Sequence, residues 1–142
     1  MKYAYSLKTT RVKEPDFPYK AKFRGASDVA NFAKSLQDSD VEKFLTLFLD
    51  ASNKLSCINV VIGTVNKCMP VAREICKHAL LSGAVAVILV HNHPSGNLAP
   101  SPEDKKFTEE TKRACALLEI KVLDHLIISE DGFFSFADEG LI

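Results

Sequence analysis

The apolar residues of this chain follow two periods, and the alternation between them lays out the elements. Ala84 to Val90 is an unbroken apolar run rich in Val and Ile, the pattern of a strand buried on both faces. Val41 to Leu49 is likewise apolar on both faces, which suits a buried strand, and Leu55 to Ile62 follows it across Asp50-Ala51-Ser52-Asn53-Lys54, which is turn chemistry; these two segments predict a hairpin. Helical spacing appears in three places. Val29, Phe32, Ala33 and Leu36 recur at i, i+3, i+4, i+7 behind Ser27 as an N-cap, and Asp38-Ser39-Asp40 ends that helix. Ala72, Ile75, Cys76, Ala79 and Leu80 form a stripe between Pro70 and Gly83. A third helix, from Pro102 to about Leu118, is expected to bury Phe107, Ala114, Cys115 and Leu118. Ile120 to Ile128 reads as a strand, Glu130-Asp131-Gly132 as a turn, and Phe133 to Phe136 as a final short strand. Tyr3 to Val12 reads as an irregular edge strand, joined through a Pro-containing connector to Gly25. The sum is an α/β domain with a mixed sheet and helices against it, without internal repeats or low-complexity tracts.

Composition narrows the class without changing that outline. At 142 residues, 46% hydrophobic and 25% charged, the chain is one ordinary globular domain with enough length for a core. Its formal net charge is zero, so no global basic field draws it to nucleic acid. The first 25 residues are an exception, with seven Lys or Arg against two acids, and read as a solvated basic edge. Met1 to Lys13 lacks the apolar core of a secretory leader, and Ala79 to Val90 is too short and too interrupted to span a bilayer. Cys57, Cys68, Cys76 and Cys115 have no C-x-x-C spacing; reduced cysteines in a cytoplasmic protein are expected, with Cys76 and Cys115 filling the core.

The chemistry sits just after the central run, in His91-Asn92-His93-Pro94-Ser95-Gly96 and then Ser101-Pro102-Glu103-Asp104. Histidines two apart on an extended backbone point the same way and supply half of a tetrahedral metal shell. Asp104 adds an oxygen, and three protein ligands with one open position make a catalytic rather than a structural site. A metal-free account also exists. Ser101 is a good N-cap, Pro102 suits the first helical position and Asp104 falls at N3, so helix capping alone explains both Ser101 and Asp104. The two accounts are compatible, because a carboxylate held at a helix start can still turn an oxygen to a metal. Asn92 and Pro94-Ser95-Gly96 are expected to shape the loop. Asp124 and His125, adjacent on a strand, face opposite sides, and His125 reads as a satisfied structural residue rather than a ligand. His78 reads as a surface residue.

Taken as His-x-His, seven residues, Ser, two residues, Asp, the string resembles the signature of the JAMM (MPN-type) zinc metalloproteases. With Asp124-His125-Leu126-Ile127-Ile128 and Phe134-Ser135-Phe136-Ala137-Asp138-Glu139-Gly140-Leu141 it is most similar to the RadC-like branch, from about Gly25 onward. The resemblance implies a mixed, mostly antiparallel sheet flanked by helices, the cytidine-deaminase-like JAMM (MPN) architecture. It divides the chain into a basic arm, 1–24, and a RadC-like domain, 25–142, expected to stand alone without the helix-hairpin-helix segment many relatives carry. It further implies Zn2+ on His91, His93 and Asp104, water as the fourth ligand, and Ser101 stabilising an oxyanion.

Hydrolysis at such a site also needs a base. Glu74 shares the polar helix face with Arg73, Lys77 and His78 and should point to solvent. Glu42 opens a buried strand, where a carboxylate is unusual without a partner, and JAMM proteins place their catalytic Glu at the start of an early strand; Glu42 is therefore chosen over Glu74. The expected function is zinc-dependent hydrolysis of an amide, peptide or isopeptide bond in a peptide or protein substrate. The alternative is a DNA-associated role, as nuclease or non-catalytic module; an inert fold with a vestigial site is a third. Phosphodiester cleavage usually wants two metals or added cations, and no Lys or Arg lies between His91 and Asp104.

Overall fold

A computed structural model of the chain describes residues 17–18, 20–37, 39–63 and 70–142. In order, helix α1 (Ala26–Phe32) and a 3-10 turn (Lys34–Leu36) precede strands β1 (Lys43–Leu49) and β2 (Leu55–Ile62). Helix α2 (Ala72–Ser82), strand β3 (Ala86–Asn92), helix α3 (Pro102–Leu117) and strands β4 (Lys121–Ser129) and β5 (Gly132–Ser135) follow. The five strands form one sheet in the order β2-β1-β3-β4-β5. Only β3 and β4 run parallel; the other pairs are antiparallel. A parallel pair needs a crossover, and α3 supplies it.

The unbroken apolar runs are the two strands covered on both faces, β1 and β3. Odd residues of β1, Leu45, Leu47 and Leu49, pack with Ile88, Val90, Leu126 and Ile128 beneath Val29 of α1. Phe44 and Phe48 project to the other face, with Val87, Leu89 and Val122, under Ile75 and Ala79 of α2 and Phe107 and Cys115 of α3. At the sheet edge the pattern relaxes: Val60 and Ile62 of β2 are exposed. The hairpin turn is held by Asp50, whose Oδ1 accepts from the Ser52 and Lys54 amides.

Several sequence-based details change. Ser27 lies inside α1, whose N-cap is Gly25 and has no side-chain cap. β1 begins at Lys43, so Glu42 precedes it, and β3 runs on through His91 to Asn92. Leu80 and Leu118 are exposed, and α3 buries Thr108 and Thr111 in addition to Phe107 and Cys115. Gly83 does end α2, in the left-handed region at φ 68°. The packed unit reaches back past Gly25: Phe23 is in the core and Lys22 bridges Lys54. The expected strand from Tyr3 to Val12 and Cys68 lie outside the described residues. Cys76 and Cys115 are buried with sulfurs 3.9 Å apart, between α2 and α3. Among the described residues no helix is long and apolar enough to cross a membrane.

One irregularity governs the site. Val87 pairs with Val122, but Ile88 pairs with Asp124, so Leu123 is an extra residue bulged out of β4. A regular ladder would set Asp124 opposite Leu89 on the α3 side. The bulge sets His125 there instead and turns Asp124 to the opposite face.

Candidate metal centre

The site lies where the C-terminal end of β3 meets the first turn of α3. His91 is fully buried, its ring stacked on Phe44 at 5.6 Å and 7°. His93 stands one residue beyond the strand, tied by its amide to the Ile128 carbonyl at 3.0 Å. Their Nε2 atoms are 2.9 Å apart, the two side chains standing on one face of the extended backbone. Pro94 and Ser95 then reverse the chain, with the Gly96 amide donating to the His93 carbonyl and Gly96 at φ 83°. That positive φ is a glycine conformation. The turn brings the Asn97 carbonyl back to accept from His93 Nδ1 at 2.6 Å.

α3 opens with a complete capping box. Ser101 Oγ accepts from the Asp104 amide at 3.1 Å, and Asp104 Oδ2 accepts from the Ser101 amide at 2.8 Å. The same carboxylate faces both imidazoles: Oδ1 is 3.3 Å from His91 Nε2 and Oδ2 is 3.4 Å from His93 Nε2. Capping and the approach to both imidazoles therefore coincide in one side chain. Burial pushes the Asp104 carboxyl up, but the contacts with His91 and His93 outweigh it and hold the group well below the usual carboxylate range. The Asp104 contact conversely raises the pKa of His93, against the lowering effect of burial. These groups face one another closely enough that they could hold a cation.

Glu42 joins them from the position just before β1. One of its carboxylate oxygens lies within 4.8 Å of ring nitrogens of His91 and His93, and those three atoms are mutually within that distance. Its approach is fixed by Asn92, the residue between the histidines. Asn92 Oδ1 accepts from the Lys43 amide at 2.6 Å, and its Nδ2 donates to the Val41 carbonyl at 3.0 Å. Asn92 thus grips the backbone on either side of Glu42, rather than shaping its own loop as the sequence led us to expect. Glu74 is elsewhere, half-exposed and paired with Lys77 at 2.6 Å, which holds its carboxyl below the usual value. Glu42, His93, Ser95, Asn97, Ser101 and Asp104 line an open cavity of about 450 Å³.

Two further residues stand behind His91. His125 is fully buried and places Nε2 2.8 Å from His91 Nδ1. Its Nδ1 is 2.6 Å from Thr108 Oγ1, and Thr108 in turn donates to the Asp104 carbonyl at 2.6 Å. His125 is thus a satisfied interior residue, as expected, but in direct contact with a site histidine. Sequence reasoning missed Thr108; its only signal was the i+4 spacing from Asp104. Burial drives the His125 pKa well below its ordinary value. Asp124, on the other face, accepts from Ser135 Oγ at 2.6 Å and from the Ala137 amide at 2.9 Å. These bonds fix the C-terminal turn, and Phe136 stacks on His125 at 4.7 Å and 13°.

A mixed five-stranded sheet with a His, His, Asp and Glu cluster at one strand end defines a small α/β domain with a possible metal centre. Comparison with known sequences makes this specific: a family model described as the RadC-like JAB domain matches residues 23–141, and the chain belongs to that family. It is 46% identical over 108 residues to a UPF0758 protein of Histophilus somni (strain 2336), covering 75% of this chain and 49% of the relative. It is 42% identical over 120 residues to a UPF0758 protein of Aquifex aeolicus (strain VF5), covering 84% and 52%. The chain spans about half the length of the curated relatives it matches.

Proposed function

We propose that the domain is a zinc-dependent hydrolase that cleaves an amide bond, in a peptide or an isopeptide-linked protein. The observation that carries this reading is the convergence of His91, His93, Asp104 and Glu42 beside one open cavity. Imidazole nitrogens and carboxylate oxygens are the donors zinc takes, and a set of three leaves a position open. The donors fit the ion for a second reason: His93 spends Nδ1 on the Asn97 carbonyl, so its Nε2 is the nitrogen turned inward. His91, His93 and Asp104 would hold the ion. When bound, zinc supplies Lewis acidity, polarising a carbonyl and lowering the pKa of water toward about 7.

The chain's own groups do the rest. Glu42 accepts the proton of the attacking water on its carboxylate and returns it to the leaving nitrogen. Ser101 Oγ is an acceptor within the capping box, which keeps its O–H hydrogen for the developing oxyanion. Among the described residues lining the cavity there is no Lys or Arg to neutralise a phosphodiester, which favours amide over phosphate chemistry. Family membership supports a hydrolase in general, since JAB-domain proteins include hydrolases.

The test is elemental analysis of the purified protein beside His93→Ala and Asp104→Ala, followed by peptide and isopeptide-conjugate substrates. Near one zinc per chain, lost in both variants, with cleavage that Glu42→Gln abolishes, is the expected result. A wild-type protein that neither carries nor takes up zinc would overturn the reading and leave Ser101 and Asp104 as helix caps.

A further inference from the structure

We propose that His125 and Thr108 are positioning residues that force His91 into the tautomer whose bare Nε2 faces the metal centre. The inference rests on the metal-site reading above, but it concerns hydrogen atoms that can be observed without any metal.

The direction of the relay is set at its far end. The Asp104 carbonyl can only accept, and Thr108 Oγ1 lies 2.6 Å from it. Thr108 has a single O–H hydrogen. Were that hydrogen given to His125 Nδ1, two oxygens would face each other at 2.6 Å with no proton between them. The hydroxyl therefore donates to Asp104, and Thr108 Oγ1 accepts from His125 Nδ1–H at 2.6 Å. His125 is fully buried against Phe44, Phe107 and Phe136. Among the described residues, an imidazolium there would face no carboxylate within hydrogen-bond reach, a costly arrangement. With its proton on Nδ1, the neutral ring presents a lone pair at Nε2, which accepts from His91 Nδ1–H at 2.8 Å. His91 Nε2 is then left without a hydrogen, 3.3 Å from Asp104 Oδ1.

The relay ends beside the ring it starts from. Asp104 faces His91 through its side chain and anchors the relay through its own carbonyl, so three hydrogen bonds, His91 to His125, His125 to Thr108 and Thr108 to Asp104, tie β3, β4 and α3. His93 commits its Nδ1 by a simpler route, to the Asn97 carbonyl. Metal-binding histidines ordinarily donate their second nitrogen to a carbonyl, carboxylate or water. His91 is buried in the sheet, where the neighbouring strand offers a side chain, and the Leu123 bulge is what turns His125 to that side.

Thr108→Val removes the hydroxyl while keeping shape, and Thr108→Ser restores it. The first readout is the 15N shift of the imidazoles in the metal-free protein, at a pH where the rings are neutral. The wild type should show His91 and His125 as Nδ1–H tautomers. Thr108→Val should give mixed tautomers at His125 and His91 but not at His93, and Thr108→Ser should return the wild-type pattern. The second readout is zinc affinity by competition with a chromogenic chelator: Thr108→Val should bind about 10–100-fold more weakly, and Thr108→Ser close to wild type. A His91 that carries its proton on Nε2 in the wild type would overturn the proposal, even if Thr108→Val failed to fold. Unchanged tautomers together with unchanged affinity in Thr108→Val would overturn it while leaving the metal site standing. A wild type with the stated tautomers and no zinc affinity would sink the metal reading alone.

Discussion

The two halves of the site are assembled by different physics. Residues 91–104 form a largely local unit: the turn through Gly96 and the capping box are each fixed by neighbours within a few residues, while the strand end they follow is held by the sheet. Glu42 and His125 arrive from other strands, and their positions depend on sheet register and on contacts spanning tens of residues. A local unit tolerates change elsewhere in the fold and fails when one of its own atoms is removed. A register-built position fails when a distant clamp is lost, even with the catalytic side chain intact. Mutations in the two halves should accordingly separate metal content from turnover.

The largest effect belongs to the local half. Asp104→Ala removes the oxygens facing both histidines and half of the capping box. Zinc content should fall to background by elemental analysis. The lost cap should add a destabilisation of roughly 0.5–2 kcal/mol in urea unfolding of the metal-free protein. Next comes Glu42→Gln, which should lower kcat by about 10²–10⁴ while zinc stays bound if, as proposed, Glu42 carries the proton and is not a ligand. Loss of zinc in that variant would make Glu42 a ligand instead of the base.

Asn92→Ala tests the register-built half without touching a reacting atom. It frees the Lys43 amide and the Val41 carbonyl on either side of Glu42. Turnover should drop about 10–100-fold, the effect of a misplaced catalytic group, with zinc content unchanged. A parallel loss of zinc and turnover would show that Asn92 serves the histidines rather than Glu42.

The difference between the halves also marks what the sequence could disclose. His91, His93, Ser101 and Asp104 were legible because their geometry follows from strand alternation and helix capping, both written in spacing. The sheet, its central strands and the α3 crossover were legible for the same reason, in apolar runs and a Pro102 start. Glu42 was chosen over Glu74 because a carboxylate opening a buried strand is unusual and because the resemblance to JAMM proteins implies a Glu there, but its approach to the histidines depends on Asn92, whose spacing to Lys43 carries no local signal. His125 was the harder case. Strand alternation separates it from Asp124 without saying which of the two faces the metal side, and the Leu123 bulge decides that. Bulges of this kind are a product of two strands' registers, so neither strand's sequence announces one.

The smallest effect probes Asp124, the member of that pair turned away from the site. It accepts from Ser135, Ala137 and His125 groups at 2.6, 2.9 and 2.7 Å, and with them holds the turn that carries Phe136 onto His125. Asp124→Ala should cost about 1–3 kcal/mol, because buried donors lose their acceptor. Asp124→Asn keeps an acceptor for the two amides and should cost less. Their pH dependence has a definite sign. Burial, more than the opposing hydrogen bonds, raises the Asp124 pKa above its ordinary 3.8, so the native state holds this proton more tightly than the unfolded chain. Stability from this group is therefore greatest below about 3.8 and is lost as pH rises through the native value. An asparagine has no proton to lose. Relative to wild type, Asp124→Asn should gain stability as pH is raised from about 4 to 7, by denaturant titration at each pH. The opposite slope would mean that the hydrogen bonds to the carboxylate outweigh its burial, and that Asp124 anchors the C-terminal turn as a charge.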